Sequence, residues 1–294
     1  MHHILAATDL SPLSLDAVAR ARLLAATADA DLSVLHALGS DLTSPVRDLL
    51  GDDIADQADR AAAAVRETLG DALAPTSPGR PVDLVVEAGQ PGTVVPAYAR
   101  GAEADLVVLG ARGAGALHRM LFGSTAAHLL RQCDVPVLVV KTAPGAPHGR
   151  VLVAVDHSPA SRRLLDLVRE VAPEADLVLL HVSMDGEGAP EGGLTAWASA
   201  AGLAPDAPGV TLVEAVGDPA KQILAHATEH ECDLVALGKH GTRAREERTL
   251  GSVTKAVVED GHTDVLVLVD PARPEKATTS DAAEHPPGHT PVAD

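Results

Sequence analysis

One glycine pattern occurs twice in this chain and constrains its fold more than any other feature of the sequence. Each copy has the form Gly-x2-Gly-x9-Gly-Ser, follows an apolar run and precedes a segment of helical periodicity. The copies are Gly110, Gly113, Gly123 and Ser124 in the first half, and Gly238, Gly241, Gly251 and Ser252 in the second. Glycines between a strand and a helix N-terminus form a backbone cradle for phosphate. The pattern therefore predicts two phosphate-binding loops.

The rest of the chain is duplicated in the same way. The matched apolar runs are 4–9 and 151–156, 33–36 and 178–181, 85–89 and 212–217, and 135–140 and 264–269. The segments of helical periodicity between them are 13–28, 52–73 and 93–100, and in the second half 160–171 and 220–230. This alternation predicts an α/β fold: two tandem Rossmann-like domains, each a five-stranded parallel sheet with helices on both faces.

Proline and glycine mark the boundary between the repeats. The segment 142–149 is Pro/Gly-rich and is typical of a short linker. The predicted domains therefore span residues 1–141 and 150–270. Residues 271–294 are rich in Pro, Ala, Thr, Glu and His without periodicity, which predicts a disordered tail.

The composition excludes several classes of protein. Among 294 residues, 41 are acidic and 23 basic, giving a formal charge of −18, and only three are Phe, Trp or Tyr. An acidic surface with few aromatic side chains disfavours nucleic acid and anionic membranes as partners. No apolar stretch approaches the roughly 18 residues of a membrane helix, and two isolated cysteines indicate a reducing compartment. We therefore expect a cytoplasmic protein.

Each glycine pattern is paired with an aspartate at the end of the first strand of its half. In a doubly wound sheet, ligands bind where the strand order reverses, which is between the first and fourth strands. Asp9 and Asp156 are expected there, where a carboxylate accepts both hydroxyls of a ribose. The alternative is an Asx turn that shapes the corner before the helix. Gly110 and Gly238 end the fourth strands, where a side chain would block a ligand.

The residues around the glycine loops have both a functional and a structural interpretation. The serines of the Gly-Ser pairs either bind phosphate at a helix N-terminus or cap that helix. Basic side chains between the glycines, such as Arg112 and Lys239, either contact phosphate or are solvated. His36 and His181, which end the second strands, are interpreted as partly buried and hydrogen-bonded.

Several catalytic motifs are absent from the sequence. It contains no Gly-x4-Gly-Lys-Ser/Thr loop, no Gly-x-Ser-x-Gly nucleophile elbow and no His-Glu-x2-His zinc motif. No second carboxylate with matching spacing in both halves could act as a base for attacking water. These absences favour a binding protein over an enzyme, with neither catalytic residues nor metal ligands.

Taken together, these features resemble the universal stress protein family, as a tandem two-domain member. The resemblance rests on Ala7-Thr-Asp9 and Val155-Asp156-His-Ser158, on both glycine patterns, and on Val135-Pro-Val-Leu-Val-Val140. It covers about residues 1–141 and 149–270. The resemblance implies one adenine nucleotide site per domain, with ATP as the ligand, with or without Mg²⁺.

The resemblance also implies a role for each site residue. Asp9 and Asp156 would bind ribose, and the backbone of Ala37 and Val182 would bind adenine. The implied phosphate-binding residues are Gly110, Gly113, Gly123, Ser124 and Thr125 in one site, and Gly238, Gly241, Gly251, Ser252 and Val253 in the other. Arg112 is added to the first site because its loop is basic within an acidic chain.

Family members form dimers through their last strand, so the resemblance implies an intramolecular pseudo-dimer here, and a homodimer as a further arrangement. It implies an ATP-binding regulator of stress response and dormancy. Two alternatives stay open: a slow Mg²⁺-dependent ATPase or phosphotransferase, and an interaction scaffold that binds no nucleotide. The basic loops favour the first alternative, because positive charge stabilises phosphoryl transfer.

The two halves differ in ways that predict unequal sites. Pro136 of the last strand is aligned with Val265, and Thr125 after the Gly-Ser pair is aligned with Val253. The segment 184–209 is shorter than its counterpart and rich in Gly and Pro.

Overall fold

The computed structural model describes residues 1–38, 53–74, 80–112, 122–184, 192–239 and 250–269. They contain ten strands: β1 (His3–Thr8), β2 (Asp31–Leu38), β3 (Val82–Ala88), β4 (Leu106–Gly110), β5 (Val137–Val140), β6 (Arg150–Val155), β7 (Asp176–Ser183), β8 (Val210–Val216), β9 (Leu234–Gly238) and β10 (Asp264–Leu268). The same ranges contain eight α-helices: α1 (Pro12–Ala28), α2 (Asp53–Leu69), α3 (Pro91–Gly101), α4 (Ser124–Gln132), α5 (Pro159–Val171), α6 (Gly193–Ala200), α7 (Pro219–Glu229) and α8 (Ser252–Asp260). A 3-10 turn, Gly70–Leu73, follows α2. The predicted tail lies outside the described residues.

All ten strands form one continuous sheet, in the order β3-β2-β1-β4-β5-β10-β9-β6-β7-β8. Strands within each half are parallel, as predicted. The halves join where β5 pairs with β10 in the antiparallel direction. Both last strands therefore have two neighbours, so the edge through which the resemblance implies dimers is already paired within one chain.

The register of the central pair makes the duplication nearly symmetric. Leu138 lies opposite Leu266, which is its own counterpart in the repeat, so a pseudo-twofold axis passes through this pair. The parallel pairings Val107–Val137 and Val235–Val265 follow the same equivalence. The alignment of Pro136 with Val265 was therefore wrong: the structural counterpart of Pro136 is the buried Asp264.

Apolar side chains on the two faces of the sheet form two cores, and each core extends through both halves. One core packs α1, α2, α5 and α6 against the sheet, and the other packs α3, α4, α7 and α8. The second core contains the predicted buried thiols, Cys133 and Cys232. Burial raises the pKa of the Cys133 thiol to about 12 and that of Cys232 to about 11, so both remain protonated near neutral pH.

Serine caps start the helices that follow the first strand of each half. The Ser11 hydroxyl accepts the amide proton of Ser14, and the Ser158 hydroxyl accepts that of Ser161. A proline follows each cap, where its fixed φ suits the first helical position. These contacts confirm the predicted starts and place the two strand-end aspartates directly before a helix.

A buried ionic cluster ties both halves to the linker. Asp264 has no exposed surface, and its carboxylate accepts hydrogen bonds from the Lys141 and Thr142 amides at 2.9 and 3.2 Å. His148 of the linker lies 3.1 Å from the other carboxylate oxygen, and Arg20 of α1 lies 3.4 Å from it. Burial alone would raise the pKa of Asp264, but the bonds from His148 and Lys141, with the charge on Arg20, hold it below its ordinary value.

Two lysines cap helices of the opposite half. Lys141, after β5, donates to the carbonyl of Gly261 at 2.7 Å, just beyond α8. Lys239, after β9, donates to the carbonyl of Arg131 at 2.8 Å in the last turn of α4. A cation at a helix C-terminus interacts favourably with the helix dipole and satisfies carbonyls that have no partner within the helix. Each cap strengthens the junction between the halves.

Replacing Asp264 with Asn should destabilise the protein strongly, because Arg20 would keep a buried charge without its counterion. We expect a loss of about 3–5 kcal/mol in the free energy of unfolding, measured with denaturant. Asp134→Asn is the matched control, since Asp134 forms an exposed pair with Arg100 and should lose at most about 1 kcal/mol. Equal losses in the two variants would contradict the role assigned to the cluster.

The stability contributed by Lys141 should depend on pH. Burial lowers the pKa of Lys141 from 10.5 to about 8, with a smaller lowering by the Arg112 charge, although Asp264 opposes the shift. Between about pH 8 and 10.5 the unfolded chain therefore binds more protons at this site, so stability rises with pH there. As the pH rises through this window, the free energy of unfolding of the parent should increase relative to that of Lys141→Met. A constant difference would contradict the shifted pKa.

Candidate functional site

The strand order reverses at two equivalent places, between β1 and β4 and between β6 and β9. Because the strands are parallel, their carboxyl ends meet there at one edge of the sheet. The pairing of Ala7 with Leu109 brings Asp9 and Gly110 to the same level, and the pairing of Thr8 with His36 brings Ala37 beside them. Asp9, Gly110 and Ala37 thus converge at this edge of the sheet.

The second half repeats this convergence. Val155 pairs with His181, so Asp156 and Val182 follow at the ends of adjacent strands. Val153 pairs with Ala236, two residues before Gly238. Both sites are therefore assembled by the same topology.

Both strand-end aspartates form the Asx turn that the sequence left as an alternative. Oδ1 of Asp9 accepts the Ser11 amide proton at 3.1 Å, and Oδ1 of Asp156 accepts the Ser158 amide proton at 3.1 Å. Asp156 receives a further bond of 2.7 Å from the Ser161 hydroxyl. Asp9 is exposed, whereas Asp156 is half-buried. The turn therefore orients each carboxylate at the end of its strand.

His36 and His181 are hydrogen-bonded, as interpreted from the sequence. Their Nδ1 atoms lie 2.9 Å from the carbonyl of Thr8 and 3.0 Å from that of Val155. The two rings therefore tie the second strand to the end of the first in each half. Each ring thus contacts the residue that directly precedes the strand-end aspartate.

A backbone hydrogen bond closes each glycine loop. The amide of Gly123 donates to the carbonyl of Ala111 at 2.9 Å, and the amide of Gly251 donates to that of Lys239 at 3.0 Å. The first and last glycines of each pattern are thus adjacent. The middle glycines, Gly113 and Gly241, lie outside the described residues. The basic residues of the two loops that follow Arg112 and Lys239 also lie outside them.

The helices that follow the loops present their amino ends at the same edge. Gly123 and Gly251 occupy the N-cap positions, so Ser124 and Ser252 are the first helical residues and are not the caps. The alternative that the serines only cap the helices was therefore wrong. Ser124, Thr125 and Ser252 are exposed, and amides of the first helical turn have no acceptor within the helix.

Gly110 is needed for packing, which differs from the reason expected from the sequence. A Cβ at this position would lie 2.8 Å from the carbonyl oxygen of Leu13 and 3.0 Å from the amide of Ser14. The end of β4 therefore approaches the first turn of α1 too closely for any side chain. This close approach holds the end of β4 against the first turn of α1, next to the turn that holds Asp9.

The structure describes two basic residues of the glycine loops, Lys239 and Arg112, and they lie in different environments. Lys239 is buried and caps α4 of the opposite half, so it is neither a solvated side chain nor directed at a phosphate. Arg112 is half-buried, and its charge contributes to the lowered pKa of Lys141 near the junction of the halves. Lys239 is thus removed from the candidate phosphate contacts, while Arg112 remains one.

The second site contains an aromatic cluster that sequence reasoning missed. The His157 ring stacks on that of His181 with a centroid distance of 4.1 Å, and the Trp197 ring of α6 lies 6.1 Å from His157. Burial lowers the pKa of His157, and His181 lowers it further. The counterpart of His157 in the first half is Leu10, which shares its left-handed backbone. The single tryptophan in this otherwise Gly/Pro-rich segment was the available signal.

A further difference concerns the helix that follows each loop. The hydroxyl of Thr254 donates to the carbonyl of Gly238 at 2.7 Å, which fixes α8 to the end of β9. Its counterpart in the first half is Ala126, and the exposed Thr125 there is replaced by Val253. The first helix therefore offers two exposed hydroxyls to a ligand and the second offers one.

One family model and several known proteins match this chain. A family model described as the universal stress protein family matches residues 1–141 and again 148–269. A universal stress protein of Mycobacterium tuberculosis is 31% identical over 188 residues, which cover 56% of this chain and 62% of that relative. The match therefore spans less than two thirds of the length of the relative.

A solved structure of similar length shares the fold. A universal stress protein of Archaeoglobus fulgidus has a TM-score of 0.69 and 24% identity, covering 90% of this chain and 97% of that one. A smaller universal stress protein in complex with cAMP is 27% identical, and the match covers 42% of this chain and 98% of that one, with a TM-score of 0.35.

Within the described ranges, none of the helices combines the length and the apolar character needed to cross a bilayer.

Replacing Gly110 with Ala should destabilise the protein by about 1–3 kcal/mol, because the new methyl group would overlap the α1 backbone. Denaturant unfolding would measure the loss. Gly101→Ala is the matched control: a Cβ there meets nothing within 4 Å, so alanine should be neutral or stabilising in the last turn of α3. A similar stability for both variants would contradict the close approach.

Proposed function

The chain belongs to the universal stress protein family, and on that premise we propose that it is an ATP-binding regulator with one nucleotide site in each half. Its role would lie in stress response and dormancy, in the cytoplasm. The intrachain junction of β5 with β10 would take the place of a dimer.

One observation carries this proposal: the same three groups converge at the strand-order reversal of both halves. They are a strand-end carboxylate, a glycine loop closed by a backbone hydrogen bond, and an exposed helix N-terminus that begins with serine. A carboxylate suits ribose hydroxyls, and a glycine loop with a helix N-terminus suits phosphates. A generic anion site would need only the second and third groups.

In the proposed complex, Asp9 and Asp156 bind ribose, and the backbone at Ala37 and Val182 binds adenine. Loop and helix groups bind the phosphates, with Mg²⁺ as an optional bridging ion. The proposed phosphate-binding residues are Gly110, Arg112, Gly113, Gly123, Ser124 and Thr125, and in the second half Gly238, Gly241, Gly251, Ser252 and Val253.

The assigned residues favour binding over turnover. They supply amides, hydroxyls and one guanidinium, and their carboxylates, Asp9 and Asp156, are already held in Asx turns. A general base must lie within reach of the attacking water and have a pKa matched to that task. The sites therefore suit a protein whose nucleotide acts as a signal or stabiliser.

We further propose that the sites are unequal, with the first binding ATP more tightly. Ser124 and Thr125 both present exposed hydroxyls at the first helix, whereas Thr254 of the second half already donates to Gly238. The stacked rings of His157 and His181 also distinguish the second site, because Leu10 takes the place of His157 in the first half.

Replacing the strand-end aspartates should weaken ATP binding. Asp9→Asn and Asp156→Asn keep the oxygen that accepts the turn amide but remove the charge, so each should raise the Kd of its own site about tenfold or more. Isothermal titration of the full chain measures this, with Asp206→Asn, an exposed turn residue, as the control. Gly113→Glu with Gly241→Glu should abolish binding by occupying both phosphate cradles.

Three results would redirect the proposal. Unchanged ATP affinity in the aspartate and glycine variants would contradict the site assignment. Phosphate release that scales with protein and disappears in the glycine variants would favour the ATPase alternative. Mass spectrometry of gently purified protein that finds empty sites and a stable protein partner would favour the scaffold.

A competition panel of ATP, ADP, AMP and cAMP tests the choice of nucleotide.

A further inference from the structure

Two histidines and a glutamate meet at the carboxyl end of α7, on the face of the sheet that packs α7 against α8. One ligand atom each from His226, Glu229 and His230 lies within 4.8 Å of the other two. Positions i, i+3 and i+4 are neighbours on a helix surface, so one turn brings all three together. The residues take no part in the proposed nucleotide sites.

The buried nitrogen of His226 is the observation that points to a ligand. Its Nδ1 atom is shielded from solvent and has no hydrogen-bond partner among the described residues. It nevertheless lies 3.1 Å from a carboxylate oxygen of Glu229. A hydrogen on Nδ1 can bridge this pair of atoms without involving His230, whereas a metal ion bound between them also engages the imidazole of His230.

The carboxyl end of the helix favours a positive ion, and two hydrogen bonds hold its backbone in place. The amide of His230 donates to the carbonyl of His226 at 2.9 Å, which closes the last turn. Arg150 donates to the carbonyl of His230 at 3.1 Å and fixes the position from which its ring projects. The carboxyl end of a helix carries partial negative charge, which adds to that of Glu229.

The rings of His226 and His230 lie side by side at the carboxyl end of α7. Their centroids are 5.9 Å apart with an interplanar angle of 26°. The His226 side chain is 19% exposed and that of Glu229 is 67% exposed, so the group opens to solvent on one side. Water can therefore complete the coordination of an ion held by three protein ligands.

The first half supplies a natural comparison. The structural counterparts of His226, Glu229 and His230 are Tyr98, Gly101 and Ala102 at the end of α3. None of these has an imidazole or carboxylate. The group is therefore not a consequence of the fold, which accommodates this helix end without it.

We propose that His226, Glu229 and His230 form a binding site for one divalent transition-metal ion per chain. Two imidazole nitrogens with one carboxylate oxygen suit Zn²⁺, Ni²⁺ and Cu²⁺, whereas Mg²⁺ and Ca²⁺ prefer sets of oxygen ligands. Open positions on the ion would remain for water, a small ligand or a side chain of a partner.

The test uses the full chain without an affinity tag, freed of metal with a chelator. Isothermal titration with Zn²⁺ should give one ion per chain, and Mg²⁺ should give no comparable heat. His226→Ala and His230→Ala should each raise the Kd for Zn²⁺ at least about tenfold. Loss of a residue that only hydrogen-bonds to a metal ligand already weakens metal binding by about that factor. His128→Ala, which removes an exposed helical histidine of the first half, is the matched control and should leave the Kd unchanged.

A second measurement separates metal binding from folding. Zn²⁺ should raise the Tm of the parent and of His128→Ala, but not that of His230→Ala, whose backbone contacts do not need the imidazole. Unchanged Zn²⁺ affinity in His226→Ala and His230→Ala would overturn the proposal and leave an ion pair beside stacked rings. Weak binding of several ions per chain, lowered equally by His128→Ala, would also overturn it.

Discussion

The antiparallel pairing of β5 with β10 is the contact on which the rest of the structure depends. It joins two five-stranded sheets into one and buries Leu138 and Leu266 completely at the pseudo-twofold axis. Both last strands would otherwise expose unpaired backbone groups, which invite association with other chains. The same register brings Asp264 to the linker and to Arg20, so the ionic cluster exists only when this pairing is formed. The contacts between the two halves thus depend on the register of one short pair of strands.

The symmetric backbone carries side chains that are not symmetric. At equivalent positions the first half has a proline, a leucine, an alanine and a tyrosine, and the second has polar or ionisable residues. The pairs are Pro136 and Asp264, Leu10 and His157, Ala126 and Thr254, and Tyr98 and His226. The two halves therefore share one backbone framework, while the side chains around the proposed site of each half differ.

Much of the fold could be predicted from local patterns. Apolar runs gave the strand positions, and Ser-Pro pairs gave the starts of α1 and α5 within one residue, because capping is an interaction between near neighbours. The convergence of Asp9 with the first glycine loop was also predictable, since parallel topology brings carboxyl ends of strands together. The direction of the Lys239 side chain was not, because its partner lies on a helix of the other half.

The sequence by itself determined the repeated α/β fold, the family and the edge of the sheet where a ligand would bind. These properties follow from periodicity, caps and spacing, which act over a few residues. Only the tertiary structure decided that Asp264 is the counterpart of Pro136, that Gly110 is required by α1, and that His157 stacks on His181. Such contacts depend on strand register and on how helices dock, and residues far apart in the chain set both.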